Sequence, residues 1–318
     1  MKKLLSRWIP TPHLEMKIFD GLVISAQSGF FTVQTDQGDL VCRLRGRLLR
    51  GPREEDIAAI GDRVEVSRVD EERGMIEKVL PRERALVRQA PTPRGEYMQV
   101  IVANPDQAVF VFACAQPAPR LGMLDRFLVI AEKQEIPALI VANKTDLVGL
   151  DAAQAHFGLY SRLGYPVIYT SARTGAGLET LHAHLAGKIS VLSGPSGVGK
   201  SSLLNAMQPG LGLEVKSVSD ATSKGRHTTV MRALFPIRGG GYVADTPGLK
   251  ALALWDIEPE ELDGYFPEIR PLIHACEYND CTHIDEPHCA VQAAVAAGTI
   301  PASRYGSYVR MRAGDEDE

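Results

Sequence analysis

The chain has 318 residues, 45% of them hydrophobic and 23% charged, with a formal net charge of -4. At about 150 residues per domain this is material for two domains with a sizeable core, which excludes a disulfide-stapled mini-protein. The same balance excludes disordered, collagen-like and coiled-coil chains, and it excludes a uniformly basic nucleic-acid coat while leaving room for local basic patches.

Residues 1–15, MKKLLSRWIPTPHLE, form an N-terminal extension with a basic start. Ser6, Arg7 and Pro10 interrupt its apolar stretch, so no signal-peptide core is expected. The longest apolar runs, 109–115 and 137–143, stop far short of the roughly 20 residues that cross a bilayer, so the expectation is a cytoplasmic protein without membrane association. Residues 16–80 alternate apolar and polar positions in short pieces bounded by Asp20-Gly21, Ser28-Gly29, Gln37-Gly38 and Arg73-Gly74. About five short strands in such a stretch predict a small barrel, of the oligonucleotide-binding (OB-fold) type or the SH3-like type, which share this pattern.

Arg43, Arg45, Arg47, Arg50 and Arg53 crowd into this region, and the first three alternate, which predicts one strand face suited to backbone phosphates. A merely solvated face would carry the same residues. Aromatic residues are sparse, with Phe19, Phe30 and Phe31 nearby, so folded RNA read by its shape fits better than a single strand. Residues 81–106, with Pro81, Pro91, Pro93 and Gly95, read as a linker and domain entry. Cys42 and Cys114 sit alone in apolar segments and read as small buried residues.

From 107 to 262 strand and helix patterns alternate, which predicts a mostly parallel sheet between helical layers with ligands beyond the strand C-termini. Residues 194–201, GPSGVGKS, follow an apolar strand and precede a helical run, the phosphate-loop pattern. The loop Gly194, Pro195, Ser196, Gly197, Val198 and Gly199 cradles phosphates with its backbone N–H groups, of which Pro195 has none; Lys200 reaches the β and γ phosphates; Ser201 holds Mg2+, with Ser202 beside it. The same loop resembles that of guanylate kinases, so the remaining motifs decide the reaction.

Asn143-Lys144-Thr145-Asp146 matches the NKxD signature of GTPases. In that pattern Asp146 accepts the guanine N1 and N2 protons, Asn143 ties loops together, and Lys144 lays its stem along the ring. Ser171-Ala172 resembles the element whose alanine N–H meets guanine O6, and Asp245-Thr246-Pro247-Gly248 resembles DxxG, with Asp245 on Mg2+ through water and Gly248 sensing the γ-phosphate. Thr228 or Thr229 in the loop 216–229 is the candidate switch threonine on Mg2+, with Thr229 preferred; a plain surface loop would also be rich in such residues. Leu249 stands where Ras-like enzymes place a glutamine, so intrinsic hydrolysis is expected to be slow. His227 is the internal candidate for positioning water, and docking to a partner is its alternative role.

The motif order, NKTD, SA, phosphate loop, switch, DTPG, is a circular permutation of the usual one, tolerable where the original termini are close and exposed. Residues 263–318 carry Cys276, Cys281, His283 and Cys289 in a C-x4-C-x-H-x5-C pattern, a tetrahedral set for one structural Zn2+. His274 and His288 lie close enough to substitute for His283. Two helices are predicted around Gly298 and Pro301, with Arg304, Arg310 and Arg312 as a basic surface and GDEDE as an acidic tail.

Nearly the whole chain resembles the ribosome small subunit-dependent GTPase A family (RsgA/YjeQ): the barrel, the permuted GTPase motifs, GRHTT at 225–229, DTPG, and the zinc pattern followed by AV and RY. The resemblance implies an N-terminal OB-fold β-barrel, a central circularly permuted α/β P-loop GTPase domain and a C-terminal helical zinc-binding domain. It implies an Mg2+-dependent GTP hydrolase that is stimulated by the 30S subunit, docks on 16S rRNA and acts in late small-subunit maturation and release. The alternatives are a permuted GTPase acting on another ribosomal particle and an RNA-binding module with regulatory nucleotide binding only. A monomer binding GTP and GDP is the expected form.

Overall fold

The computed structural model describes residues 17–50, 55–90, 97–210, 232–245 and 257–315. These fall into two compact units, the first formed by the described residues up to Asn104 with 232–234, and the second by the rest. The readings made for residues 1–15 and for Arg53 lie outside the described residues.

In the first unit, β1 (Ile18–Gln27), β2 (Phe30–Thr35), β3 (Gly38–Leu44), β4 (Arg63–Arg68) and β5 (Arg73–Val79) close into a barrel. β1–β2, β2–β3, β4–β5 and β1–β4 pair antiparallel, and β3–β5 pair parallel. This Greek-key closure with one parallel pair is the oligonucleotide-binding arrangement and decides against the SH3-like alternative. Alternate residues point inward, so Val23, Phe31, Val33, Leu40, Cys42, Val64, Val66 and Ile76 form the barrel core. Cys42 is buried here as expected, and burial pushes its thiol up to about 12.

Two glycine boundaries move. Asp20-Gly21 does not end a strand: β1 runs through it, because a Cβ on Gly21 would lie 2.4 Å from Val33 Cγ1, so the glycine serves a close strand approach. Arg73-Gly74 begins β5, and the turn lies just before it, where the Asp70 carboxylate accepts from the N–H groups of Glu72 (3.1 Å) and Arg73 (2.9 Å).

The arginine face is also corrected. β3 ends at Leu44, and Arg47 lies in a 3-10 turn, Gly46–Leu49, so strand alternation does not carry Arg43, Arg45 and Arg47 onto one face. The cause is Glu77, a carboxylate only 5% exposed, which draws in Arg45 (Nε to Oε2, 3.0 Å) and Arg47 (Nη2 to Oε2, 3.4 Å) and accepts from Ser67 Oγ at 2.6 Å. The stretch read as a linker holds a hairpin, β6 (Ala85–Ala90) and β7 (Tyr97–Ala103), whose Val100 and Ala103 pack with Ala59. Its prolines Pro91 and Pro93 lie outside the described residues, between the strands.

The second unit contains a parallel sheet in the order β10-β9-β8-β11-β13, made of β8 (Gln107–Ala113), β9 (Ala138–Asn143), β10 (Val167–Tyr169), β11 (Ile189–Ser193) and β13 (Tyr242–Asp245). β12 (Arg232–Pro236) precedes β13 and begins in the first unit, where Arg232 and Ala233 pair antiparallel with Ala26 and Ser25 of β1. Every residue of β8 is buried, as suits a strand with neighbours on both edges and helices on both faces. Helices α1 (Leu121–Lys133), α2 (Leu150–Arg162), α3 (Leu178–Leu185) and α4 (Lys200–Met207) are the crossovers read from the sequence.

Helices α5 (Ala290–Ala296) and α6 (Ala302–Arg312) follow the cysteine segment. Leu262, Phe266, Ile269, Val291, Ile300, Tyr308 and Met311 share one core with Cys281, Cys289 and Val129 of α1. Arg304 is not part of a basic surface: it is 1% exposed and bonds Asp125 of α1 (Nη1 to Oδ1, 2.7 Å) and Glu268 (Nε to Oε1, 2.6 Å) over the face of Phe266. Burial alone would lower its pKa, but the two carboxylates outweigh that and hold it above the ordinary value. Among the described residues no helix is long and apolar enough to cross a membrane.

Candidate functional site

The phosphate-loop residues 194–199 leave the C-terminal end of β11 and enter α4. Gly194 has φ +145°, and a Cβ there would meet the Val111 carbonyl of β8; Gly199 has φ +95°, and a Cβ there would lie 2.5 Å from Asn143 Nδ2. Both positions therefore demand glycine on conformation and on space. Lys200 opens α4 and folds back so that Nζ donates to the carbonyls of Gly194 (2.8 Å) and Pro195 (2.9 Å), spanning the mouth of the loop. Ser201 and Ser202 follow in the first helical turn, at the positive end of the helix dipole.

The NKTD segment leaves β9 and closes on this loop. Asn143 is 1% exposed; its amide donates to Val198 O at 2.8 Å and accepts from Thr170 Oγ1 at 3.1 Å. Lys144, in the left-handed region at φ +64°, donates to Gly197 O at 2.6 Å and to Gln116 O. Burial lowers the Lys144 pKa, with Asp146 pulling the other way. Ser171 Oγ donates to Asp146 Oδ1 at 2.6 Å, which fixes the carboxylate, and Ala172 follows Ser171 beyond β10. Residues 143–146, 171–172 and 194–202 thus converge at the C-terminal edge of one parallel sheet.

Asp245 is the last residue of β13, opposite Leu192. His227, Thr228, Thr229 and Gly248 lie outside the described residues.

Cys276, Cys281, His283 and Cys289 bring their ligand atoms within 4.8 Å of one another. Cys276 Sγ is 3.9 Å from Cys289 Sγ, and His283 Nδ1 is 3.5 Å from both sulfurs. A tetrahedron with Zn–S about 2.3 Å and Zn–N about 2.0–2.1 Å has edges of about 3.8 and 3.5 Å, so the donor set fits one zinc ion. His283, not His274 or His288, faces the sulfurs, and its Nε2 lies 3.2 Å from Asp263 Oδ2, which orients the ring. Burial pushes the Cys281 thiol up to about 12, so it yields its proton only to a strong competitor such as a cation.

Several members escaped sequence reasoning. Thr170 adjoins the Ser171-Ala172 element, a local signal that was there to find. Asp263, and Tyr305 and Tyr308, whose hydroxyls donate to the carbonyls of His283 (2.7 Å) and Thr282 (2.8 Å), lie too far along the chain to leave a spacing signature.

A phosphate loop joined through Asn143 and Lys144 to a guanine-type motif that precedes it in the chain defines a circularly permuted P-loop GTPase. Family models described as "RsgA GTPase" and "RsgA N-terminal domain" match residues 79–255 and 20–76. The chain belongs to the RsgA/YjeQ family of circularly permuted GTPases. It is 47% identical over 296 residues to the small ribosomal subunit biogenesis GTPase RsgA of Gemmatimonas aurantiaca, covering 92% of this chain and 96% of the relative. The RsgA of Moorella thermoacetica is 43% identical over 297 residues, covering 92% and 96%. Among solved structures, YjeQ from Thermotoga maritima matches with a TM-score of 0.76 at 39% identity, covering 95% of this chain and all of that one. The circularly permuted GTPase YloQ matches with a TM-score of 0.72 at 32% identity, covering 96% and 98%.

Proposed function

We propose that this chain hydrolyses GTP and acts in biogenesis of the small ribosomal subunit, with the 30S particle and its 16S rRNA as partner and stimulus. The observation that carries the reading is the pair of bonds from Asn143 and Lys144 to the carbonyls of Val198 and Gly197, which make base recognition and phosphate binding one rigid surface. The curated relatives named as small-subunit biogenesis GTPases support the partner, and action on that particle entails a cytoplasmic protein.

Guanine is selected by Asp146, whose carboxylate accepts the N1 and N2 protons while Ser171 holds it, and by the Ala172 N–H on O6; adenine would leave these groups unpaired, a large penalty in a buried site. The backbone N–H groups of Gly194 and residues 196–199 and the Lys200 ammonium receive the phosphates. Mg2+ supplies neutralisation of the phosphate charge when bound; Ser201, Thr229 and Asp245 are the residues that would hold it. Gly248 reports the γ-phosphate. With Leu249 after it in place of a glutamine, His227 or a group from the ribosomal partner orients the attacking water.

The test is turnover of GTP and ATP by the purified protein, alone and with separated 30S or 50S subunits. We expect slow GTP hydrolysis, strong stimulation by 30S alone, and no ATP turnover. Stimulation by 50S alone, or by neither subunit in folded GTP-binding protein, overturns the partner assignment.

A further inference from the structure

The barrel strands sort the three phenylalanines near their start. Phe31 is 7% exposed in the barrel core and Phe19 packs against that core, whereas Phe30 is 44% exposed. The register Phe31↔Cys42 turns the flanking pair Phe30 and Arg43 outward together, and the Arg43 guanidinium lies 5.3 Å from the Phe30 ring centroid. Val41 is 42% exposed on the same face and pairs with Thr32. Because β2 and β3 are antiparallel, the C-terminal end of β3 and the 3-10 turn bearing Arg47 lie at the Phe30 end. Asp36 and Asp39 lie at the opposite end, around the β2–β3 turn. Within β2, β3 and the 3-10 turn that follows, the positive charge therefore lies beside the exposed aromatic ring, while Arg68 of β4 reaches the opposite end and donates to Gln37 O at 3.4 Å. Glu77 holds Arg47 in place while leaving its side chain 65% exposed.

We propose that Phe30, Arg43 and Arg47 form a stacking subsite for one unpaired RNA base, with the flanking phosphates on the two arginines. The inference rests on the reading that the protein acts on a ribosomal subunit, and it sharpens it. An aromatic π-face accepts any base, an adjacent guanidinium takes the phosphate, and the strand 2–3 face is where oligonucleotide-binding barrels receive their ligand. Recognition by helix shape alone needs no outward aromatic residue.

The test uses the full chain, a short fluorescein-labelled oligouridylate, and an RNA duplex of the same length, with binding read by anisotropy across a salt series. Phe30→Ala should weaken single-strand binding about tenfold, leave duplex binding and the salt slope unchanged, and be rescued in Phe30→Tyr. Arg43→Ala should instead reduce the single-strand salt slope by about 0.7. The subsite is overturned if wild-type protein does not bind the single strand at low salt, if Phe30→Ala binds it unchanged, or if both probes weaken equally. It is equally overturned if Phe30→Leu binds as tightly as wild type, the result a plain apolar contact would give. GTP turnover with 30S subunits, measured on the same preparations, separates the two failures. A stimulated wild type with no Phe30 effect removes the subsite alone, whereas an unstimulated wild type removes the functional reading.

Discussion

Asn143 makes two bonds that no other side chain at its position supplies: it donates to Val198 O and accepts from the Thr170 hydroxyl, in a setting with almost no water. Asn143→Ala strands both partners, and an unsatisfied buried group costs about 1–3 kcal/mol. We expect a loss of that size in urea unfolding together with weaker binding of a fluorescent GTP analogue; unchanged affinity would show that the tie between the two loops is dispensable. The meeting of these two loops was legible in the sequence because their patterns are local: GPSGVGKS and NKTD each sit at one strand end. The same holds for the cysteine spacing. What stayed hidden at this scale are groups brought in by folding, such as Asp263 behind His283 and Glu77 under Arg45 and Arg47, whose separations of 20 and about 30 residues follow no period.

Among the elements, α6 shows what a helical pattern conceals. The reading of its arginines as a basic surface placed Arg304 with Arg310 and Arg312 outside, yet Arg304 is the buried cation that joins α6 to α1. Removing it leaves Asp125 and Glu268 buried without their counter-charge. Arg304→Ala should therefore cost about 3–5 kcal/mol in denaturant unfolding of zinc-loaded protein, with Arg304→Lys intermediate because it cannot bond both carboxylates in a fork. A loss under about 1 kcal/mol would mean that water reaches the acids. The existence of the barrel strands β1–β5 was legible, since the period-2 pattern is dictated by the barrel core. The limits of β1 and the hairpin β6–β7 were not, because a glycine that permits close approach looks in sequence like a glycine that makes a turn.

For the molecule as a whole, the two units carry separate cores: the barrel's is its own, while the zinc segment shares one with Val129 of α1. Chelation should therefore strip hydrogen-exchange protection from α5, α6 and α1 and leave β1–β5 protected. Loss confined to the cysteine loop, or spread through the barrel, would contradict that division. The permuted order was plain from the motifs alone, but its structural meaning needed the sheet: β8 lies between β9, which follows it directly, and β11, which follows more than 70 residues later.

That placement sets a timetable for the nascent chain. As residues leave the ribosome, β8, β9 and β10 assemble in chain order and complete the edge bearing Asn143 and Asp146, while the other side of β8 stays unpaired until β11 arrives. A strand buried at every residue in the finished protein is thus, for an interval of its synthesis, an open apolar edge. The edge bearing Asn143 and Asp146 is built first, and β11, which leads into the 194–199 loop, is the strand that covers the open side of β8.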